Sequence, residues 1–293
     1  MRSLLFVPAD SDRKLAKSGQ SGADVLIYDL EDSVSAERKP AGRELLAQFL
    51  QAAPRVNAPK HYVRVNSLDT NMTLTDLAAV MPAKPDGVVL PKCRGAADVE
   101  KLTRYLEAFE AAHQITSPTQ IIAIATETAE SLAGLDSYRH CSDRLVALMW
   151  GAEDLAGDIG AISNKESNGQ TWTTIFEYAR TRCLLAAAAA GVIAIDTVPT
   201  DIHNLDALRL ETTTAYRDGF SAKAAIHPGQ VPIINKCMTP DEATSNWARE
   251  VIAAFEASTT VGVATLNGKM LDTPHLRLAQ KIMAAVEVAK REA

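Results

Sequence analysis

The amino-acid sequence predicts an α/β protein: a (β/α)8 TIM barrel followed by a C-terminal helical extension. Eight short apolar, β-branched runs alternate with stretches of helical periodicity, over a length close to the ~250 residues typical of this fold. The runs are apolar throughout, which is typical of parallel strands covered on both faces. Polar side chains follow most of the runs, at the end where such a barrel carries its active site. A doubly wound parallel sheet would show the same periodicity and remains the alternative.

The elements follow one another without an internal repeat or a low-complexity linker. The strands are predicted at residues 3–7, 25–30, 61–65, 87–90, 121–126, 145–150, 192–196 and 222–226. Helical stretches between them are predicted at 41–53, 98–112, 172–190 and 204–218. Residues 1–237 therefore form the predicted barrel and 238–293 the extension. In the extension, helices at 240–257 and 275–292 flank a turn-rich stretch at 259–274.

Composition narrows the function classes. The chain has 293 residues, 47% hydrophobic and 23% charged, so it can bury a sizeable core. A net charge of −6 and an aromatic content of 5% argue against nucleic-acid binding and against attraction to an anionic membrane. The longest apolar run, 184–195, is too short to span a bilayer. The chain starts on a strand-like segment without a signal peptide, so a cytoplasmic protein is expected.

Cysteine and histidine offer no recognisable metal site. The four cysteines lie 42 to 54 residues apart, and the six histidines are equally dispersed. Isolated buried thiols are the simplest interpretation. A bound metal ion would therefore take carboxylate ligands.

The ends of the predicted strands carry a set of charged and polar side chains. They are Asp29, Glu31 and Asp32 after strand 2, Arg64 after strand 3, Lys92 after strand 4, Glu127 after strand 5, Glu153 and Asp154 after strand 6, Asp196 and Thr197 after strand 7, and His227 after strand 8. Because the carboxyl ends of barrel strands meet at one rim, these side chains are expected to converge there. Any single acid, taken alone, is better explained as a helix cap or a member of a surface ion pair.

Two of these acids suggest a metal site. Glu127 and Asp154 follow neighbouring strands, where two carboxylates repel unless a cation lies between them. Carboxylate, substrate and water oxygens are the ligands that Mg2+ prefers. Arg64 and Lys92 could then bind a carboxylate or a developing enolate.

Seven segments in order resemble the citrate lyase β-subunit-like proteins of the malyl-CoA lyase and HpcH/HpaI aldolase superfamily. They are residues 4–8 (LLFVP), 29–34 (DLEDSV), 63–66 (VRVN), 90–92 (LPK), 151–156 (GAEDLA), 195–198 (IDTV) and 225–228 (AIHP). The resemblance implies a barrel, a Mg2+ ion, and chemistry at a carbon–carbon bond beside an acyl thioester. It places Glu127 and Asp154 as metal ligands and Arg64 as the group that contacts the thioester carbonyl or the keto acid. Asp29, Glu31 and Asp32 are expected to orient metal-bound waters or Arg64, with Lys92 and Asp32 near the substrate.

The C-terminal segment 268–274 (GKMLDTP) resembles the family motif whose aspartate acts as an acid/base from a mobile lid, often in a neighbouring subunit's site. The resemblance gives that role to Asp272 and implies a homo-oligomer, with a trimer as one form. Without the resemblance, Asp272 is better explained as a cap of the following helix.

One departure concerns the turn after the first strand, where many relatives have a Gly-x-Arg segment that helps to bind coenzyme A. Here Ala9 and Ser11 replace the glycine and the arginine, leaving Arg13 and Lys14, or alternatively Arg38 and Lys39, as the candidate phosphate contacts. The leading hypothesis is a Mg2+-dependent lyase that acts on malyl-CoA or citramalyl-CoA. The alternatives are a thioesterase on the same substrates, a CoA-independent aldolase that uses pyruvate, and a non-catalytic keto-acid sensor.

Overall fold

Eight parallel strands form a closed barrel in sequential order in the computed structural model, which describes residues 1–258 and 262–291. The strands are β1 Ser3–Pro8, β2 Val25–Asp29, β3 Lys60–Arg64, β4 Gly87–Leu90, β5 Gln120–Ile124, β6 Leu145–Met149, β7 Ile193–Asp196 and β8 Ala222–Ala225. Strand β8 pairs with β1 to close the ring. The predicted TIM barrel is confirmed, and the doubly wound alternative is wrong.

Helices follow the strands on the outside of the barrel. They are α1 Asp12–Ser18, α2 Lys39–Ala52, α3 Thr73–Val80, α4 Ala96–Ala112, α5 Ala129–Gly134, α6 Glu153–Ile159, α7 Thr174–Ala190, α8 Leu205–Asp218 and α9 Val231–Cys237. The four helices named from the sequence correspond to α2, α4, α7 and α8. Within the described part of the chain, no helix combines the length and apolarity needed to cross a bilayer.

The period of two along each strand decides which side chains face the barrel interior. The buried inner cluster contains Ile27 of β2, Tyr62 of β3 and Ile195 of β7. Asp29 and Arg64, two residues beyond Ile27 and Tyr62, therefore continue the inward-facing rows up to the rim. Asp196 directly follows an inward residue, so its side chain points outward, toward the helices.

Contacts divide the chain into two compact units, Met1–Asn235 and Lys236–Ala293. The second unit contains α10 Glu242–Ala257, an antiparallel pair of β9 Val263–Leu266 and β10 Lys269–Asp272, and α11 Thr273–Arg291. Its core is formed by Ala248, Val251, Leu271 and Ala279.

The stretch predicted as turns at 259–274 contains this hairpin, and residues 259–261 lie outside the described part of the chain. Asn267 and Gly268 join the two strands with φ of 51° and 75°. Positive φ at both central residues is what a two-residue hairpin turn of type I′ requires, and Asn-Gly is its preferred sequence. The sequence therefore held a hairpin signal that the turn prediction did not use.

Candidate active site

Arg64 and Asp29 form a two-pronged ion pair at the rim of the barrel. The two residues are in register on the adjacent strands β3 and β2. Arg64 donates from Nε and Nη2 to the two Asp29 carboxylate oxygens, both at 2.7 Å. Burial acts to raise the pKa of Asp29, but the guanidinium outweighs burial and holds that pKa below its usual value. The pair therefore stays charged, and Arg64 is fixed with its remaining nitrogen, Nη1, 2.9 Å from Oε2 of Glu31.

Lys92 links the acids that follow strands 2, 5 and 6. Its Nζ lies 2.6 Å from Oε1 of Glu31 and 3.1 Å from Oδ1 of Asp154, and its backbone N–H donates to Glu127. The residue has a φ of 51°, a left-handed conformation that is unfavourable for a lysine. That conformation turns both the backbone N–H and the ammonium group toward the acids. Backbone strain of this kind is often found at functional sites.

Glu127 is a deeply buried acid, with 3% of its surface exposed. Burial, followed by the charges of Asp154 and Glu31, raises the pKa of Glu127 to about 8. Gly151 packs directly against this side chain: a Cβ at residue 151 would lie 2.8 Å from Cγ of Glu127. Only glycine therefore allows the segment after β6 to pass so close to Glu127.

These residues form one group, which we call the rim cluster: Asp29, Glu31, Asp32, Arg64, Lys92, Glu127 and Asp154. Five carboxylates face two cations in it, so the cluster has an excess of negative charge. An excess of negative charge fits a hydrated cation, and an all-oxygen donor set suits Mg2+.

The protein ligands alone do not complete such a site. Across residues 1–258 and 262–291, no three acidic, histidine or cysteine side chains converge as a closed metal site would need. Glu127 and Asp154 are thus two candidate ligands that leave the remaining positions to water and substrate.

A cavity of about 390 Å3 opens beside the rim cluster. Its polar wall includes Asp29, Asp32, Arg64, Glu127, Glu153 and Asp154, and its apolar wall includes Phe6, Ile124, Met149, Trp150, Val198 and Ile226. The ring of Phe6 lies 5.0 Å from the guanidinium carbon of Arg64, a cation–π contact. A small carboxylic acid with an apolar substituent would place its carboxylate against the polar wall and its substituent against the apolar wall.

Not every strand-end residue reaches this cavity. Thr197 does, but Asp196 does not, and the expectation that it joins the rim is wrong because the strand alternation turns it outward. His227 accepts a hydrogen bond at Nδ1 from the backbone of Gly229 and lines a second cavity, of about 460 Å3. Arg13 and Lys14 line that second cavity too. In the C-terminal unit, Oδ1 of Asp272 lies 2.5 Å from Nδ1 of His275.

The sequence did not indicate the roles of two buried residues beside this site. Trp150 is fully buried at the cavity wall. Lys39, a candidate phosphate contact from the sequence, is buried instead and donates 2.8 Å hydrogen bonds to the backbone carbonyls of Leu30 and Glu31, which holds the segment carrying the strand-2 acids. A lysine in the first turn of an amphipathic helix is usually solvent-exposed, so nothing in the sequence indicated this contact.

The family model for HpcH/HpaI aldolase/citrate lyase matches residues 2–228 of the chain. The chain belongs to this family. The β subunit of citrate lyase from Leuconostoc mesenteroides subsp. cremoris is 32% identical over 96% of this chain and 92% of that protein. The mitochondrial citramalyl-CoA lyase of Rattus norvegicus is 28% identical over 99% of this chain and 87% of that protein.

The likeness extends to solved structures of the family. The CitE protein of Mycobacterium tuberculosis, solved with magnesium, acetoacetate and coenzyme A, is 32% identical and matches with a TM-score of 0.78, covering 98% of both chains. The family resemblance and the expected enzyme class, a lyase related to citrate lyase β subunits, are therefore confirmed. The substrate and the roles of individual residues stay predictions.

Proposed function

We propose that the protein is a Mg2+-dependent carbon–carbon lyase acting on a 3-hydroxyacyl-CoA, such as malyl-CoA or citramalyl-CoA. Cleavage would give acetyl-CoA and an α-keto acid, and condensation would run the reverse reaction. The observation that carries the proposal is the rim cluster, in which an arginine held by a buried aspartate lies across one cavity from two carboxylates on neighbouring loops.

The metal ion would be held by Glu127 and Asp154. Bound there, Mg2+ would act as a Lewis acid toward the keto-acid oxygens. The excess of carboxylates in the rim cluster and the magnesium-bound relative support this choice of ion.

The side chains of the cluster fit the charge changes of the reaction. Cleavage breaks the C2–C3 bond: the 3-hydroxyl loses its proton to become the keto oxygen, and the bonding pair passes to the acetyl unit as an enolate. Arg64, held in place by Asp29, would stabilise the negative charge on the enolate oxygen. Lys92 would bind the keto-acid carboxylate, while Glu31 and Asp32 orient Lys92, Arg64 and bound water.

The enolate must then take a proton at C2, and Asp272 is the proposed donor. In the family pattern this acid comes from a lid, often that of a neighbouring subunit, so the proposal includes a homo-oligomer, for example a trimer. The contact between Asp272 and His275 gives the carboxylate a partner that can share its proton.

Coenzyme A would extend toward the second cavity, at the ends of β1 and β8. Arg13 and Lys14 line that cavity together with Lys17, and the three cations suit phosphate groups. In binding these phosphates they would replace the Gly-x-Arg segment, in whose place this chain has Ala9 and Ser11.

The test is to incubate the purified protein with malyl-CoA and with citramalyl-CoA, in Mg2+ and in EDTA, and to resolve the products. Acetyl-CoA and a keto acid that form only with Mg2+ are the expected result. Free CoA with a hydroxy acid would instead establish a thioesterase. Cleavage of neither thioester, with Mg2+-dependent binding of pyruvate or oxaloacetate retained, would favour the aldolase or the sensor.

A further inference from the structure

A buried charged group lies just outside the barrel wall, behind the candidate cavity. We call it the outer cluster: Asp196 of β7, Lys223 of β8 and Arg180 of α7. Nζ of Lys223 lies 2.7 Å from Oδ2 of Asp196, and Nε of Arg180 lies 3.3 Å from Oδ1. Lys223 is fully buried, and Asp196 is 2% exposed. None of the three lines the candidate cavity, so substrate binding does not account for them.

The outer cluster touches the cavity through Trp150. The indole Nε1–H of Trp150 donates a 2.7 Å hydrogen bond to Oδ1 of Asp196. The ring of Trp172 meets the ring of Trp150 edge-on, with centroids 4.9 Å apart. The hydrogen bond and the ring contact together fix the plane of an indole that is fully buried at the apolar wall of the cavity.

A second wall segment depends on the same cluster. Lys223 donates a 2.9 Å hydrogen bond to the backbone carbonyl of Thr197, and Thr197 lines the cavity as well. One buried lysine thereby holds both the carboxylate that orients Trp150 and the backbone at the end of β7.

Stability alone is a weak reason for such a cluster. Replacing a buried ion pair by apolar residues of similar size is often neutral or stabilising, so the charges are better explained by the geometry they impose. Here that geometry is the orientation of Trp150. Residue 150 directly precedes Gly151, whose backbone packs against Glu127, so the buried indole supports the cavity wall next to Glu127 from behind.

We infer that Trp150 limits the size of the keto-acid group the site accepts, and that Asp196 is a positioning residue which holds Trp150 through its indole N–H. Lys223 and Arg180 fix the Asp196 carboxylate in turn. The inference rests on the proposed lyase function. It goes beyond that function by naming what selects the substrate.

The first test compares wild type and Trp150→Phe on malyl-CoA, which releases glyoxylate, and citramalyl-CoA, which releases pyruvate. The variant removes the hydrogen bond and enlarges the cavity. The ratio of kcat/KM values is expected to shift about tenfold toward citramalyl-CoA, the usual effect of one methyl group in a fitted pocket. An unchanged ratio in a folded Trp150→Phe variant would overturn the role of Trp150.

A double-mutant cycle tests whether Asp196 acts through Trp150. Asp196→Asn is expected to shift the ratio in the same direction in the wild-type background and to add nothing in the Trp150→Phe background. Asp218→Asn is the matched control, because Asp218 contacts Arg180 at 3.0 Å but does not contact Trp150, and it should leave the ratio unchanged. Equal shifts by Asp196→Asn in both backgrounds, or an equal shift by Asp218→Asn, would mean a general structural effect and overturn the positioning role.

A binding measurement keeps this inference separate from the proposed reaction. Calorimetry with Mg2+ and either pyruvate or 2-oxobutanoate needs no turnover. Trp150→Phe should raise the affinity for 2-oxobutanoate relative to pyruvate, and that result would support the inference even if the wild type cleaved neither thioester. If Asp196→Asn does not fold, Trp150→Phe alone still decides the pocket role. In that case Arg180→Met replaces Asp196→Asn in the cycle, because Arg180 contacts the Asp196 carboxylate as well.

Discussion

The rim cluster and the outer cluster are both built from buried charges at the ends of neighbouring strands, yet their charge balance is opposite. In the outer cluster Asp196 contacts two cations, and those cations have further acidic partners in Glu211 and Asp218. Burial acts to raise the pKa of Asp196, but Lys223 and Arg180 outweigh it and hold that pKa below its usual value. The outer cluster is electrostatically complete.

The rim cluster is not complete. Its five carboxylates share two cations, and burial together with Asp154 and Glu31 raises the pKa of Glu127 to about 8. The difference separates a structural cluster from a binding cluster. Buried charges that satisfy one another hold geometry, whereas buried charges of one sign in excess need a ligand of the other sign.

The largest expected effect follows from removing the proposed metal ligands. Glu127→Ala and Asp154→Ala should each abolish Mg2+-dependent turnover while the protein stays folded, which is measured by product formation and circular dichroism. Glu130→Ala is the control, because Glu130 lies three residues after Glu127 but its side chain is 72% exposed. Wild-type turnover in either ligand variant would overturn the metal-site assignment.

Removing a cation from the outer cluster should lower the stability of the protein. Lys223→Met leaves the buried Asp196 carboxylate with one cation fewer, which is expected to reduce the free energy of unfolding by about 3–5 kcal/mol. Urea denaturation measures this loss in the free energy of unfolding. Lys165→Met is the matched control: Lys165 also pairs with Glu211, but it is 27% exposed, so its loss should cost less than about 1 kcal/mol. Equal losses in the two variants would contradict the distinction between the clusters.

Asp29→Asn is expected to have a smaller effect, because it leaves Arg64 in place with Glu31 and Asp32 close by. An asparagine cannot accept both guanidinium N–H groups, so the arginine loses its fixed orientation. A 10- to 100-fold drop in kcat/KM is expected, the usual cost of losing an orienting partner. Asp69→Asn, which changes an exposed acid paired with Arg94, should not alter turnover. If Asp29→Asn retained full activity, the Asp29–Arg64 pair would have only a structural role.

The fold and most of the rim cluster could be predicted from the sequence because both depend on local patterns. Each strand is a continuous apolar run, and the acids follow directly after the runs. Lys92, Glu127 and Asp154 are brought together because consecutive parallel strands are neighbours in a barrel. This step needs only the order of the elements.

What could not be predicted depends on side-chain direction and on packing between distant segments. Asp196 was misassigned because its place after a strand was considered without the alternation that points it outward. Side chains alternate in direction along a strand. Applied to β7 (IAID) and β8 (AKAA), this alternation would have put Asp196 and Lys223 on the same outer face. The contact of Trp150 with Trp172 joins two segments through a loop, and no periodicity in the sequence indicates it.

The stability of the metal-free protein should depend on pH through Glu127. A carboxyl whose pKa is higher in the folded state than in the unfolded state destabilises the fold as pH rises between the two values, because the unfolded chain releases a proton that the folded protein keeps. For Glu127 these values are the ordinary 4.5 and about 8. Glu127→Gln cannot ionise, so in EDTA it should melt above the wild type at pH 8, with a gap that narrows toward pH 5.

Mg2+ should then reverse the order, because only the wild type gains a strong ligand for the ion. Scanning calorimetry with and without Mg2+ measures both steps, and a domain of this size should shift by about 2–4 °C per kcal/mol. Glu130→Gln should follow the wild type throughout. A lower melting temperature for Glu127→Gln in EDTA at pH 8 would mean that Glu127 is already well compensated without a metal ion, and that the charge imbalance of the rim cluster is not what draws a cation to it.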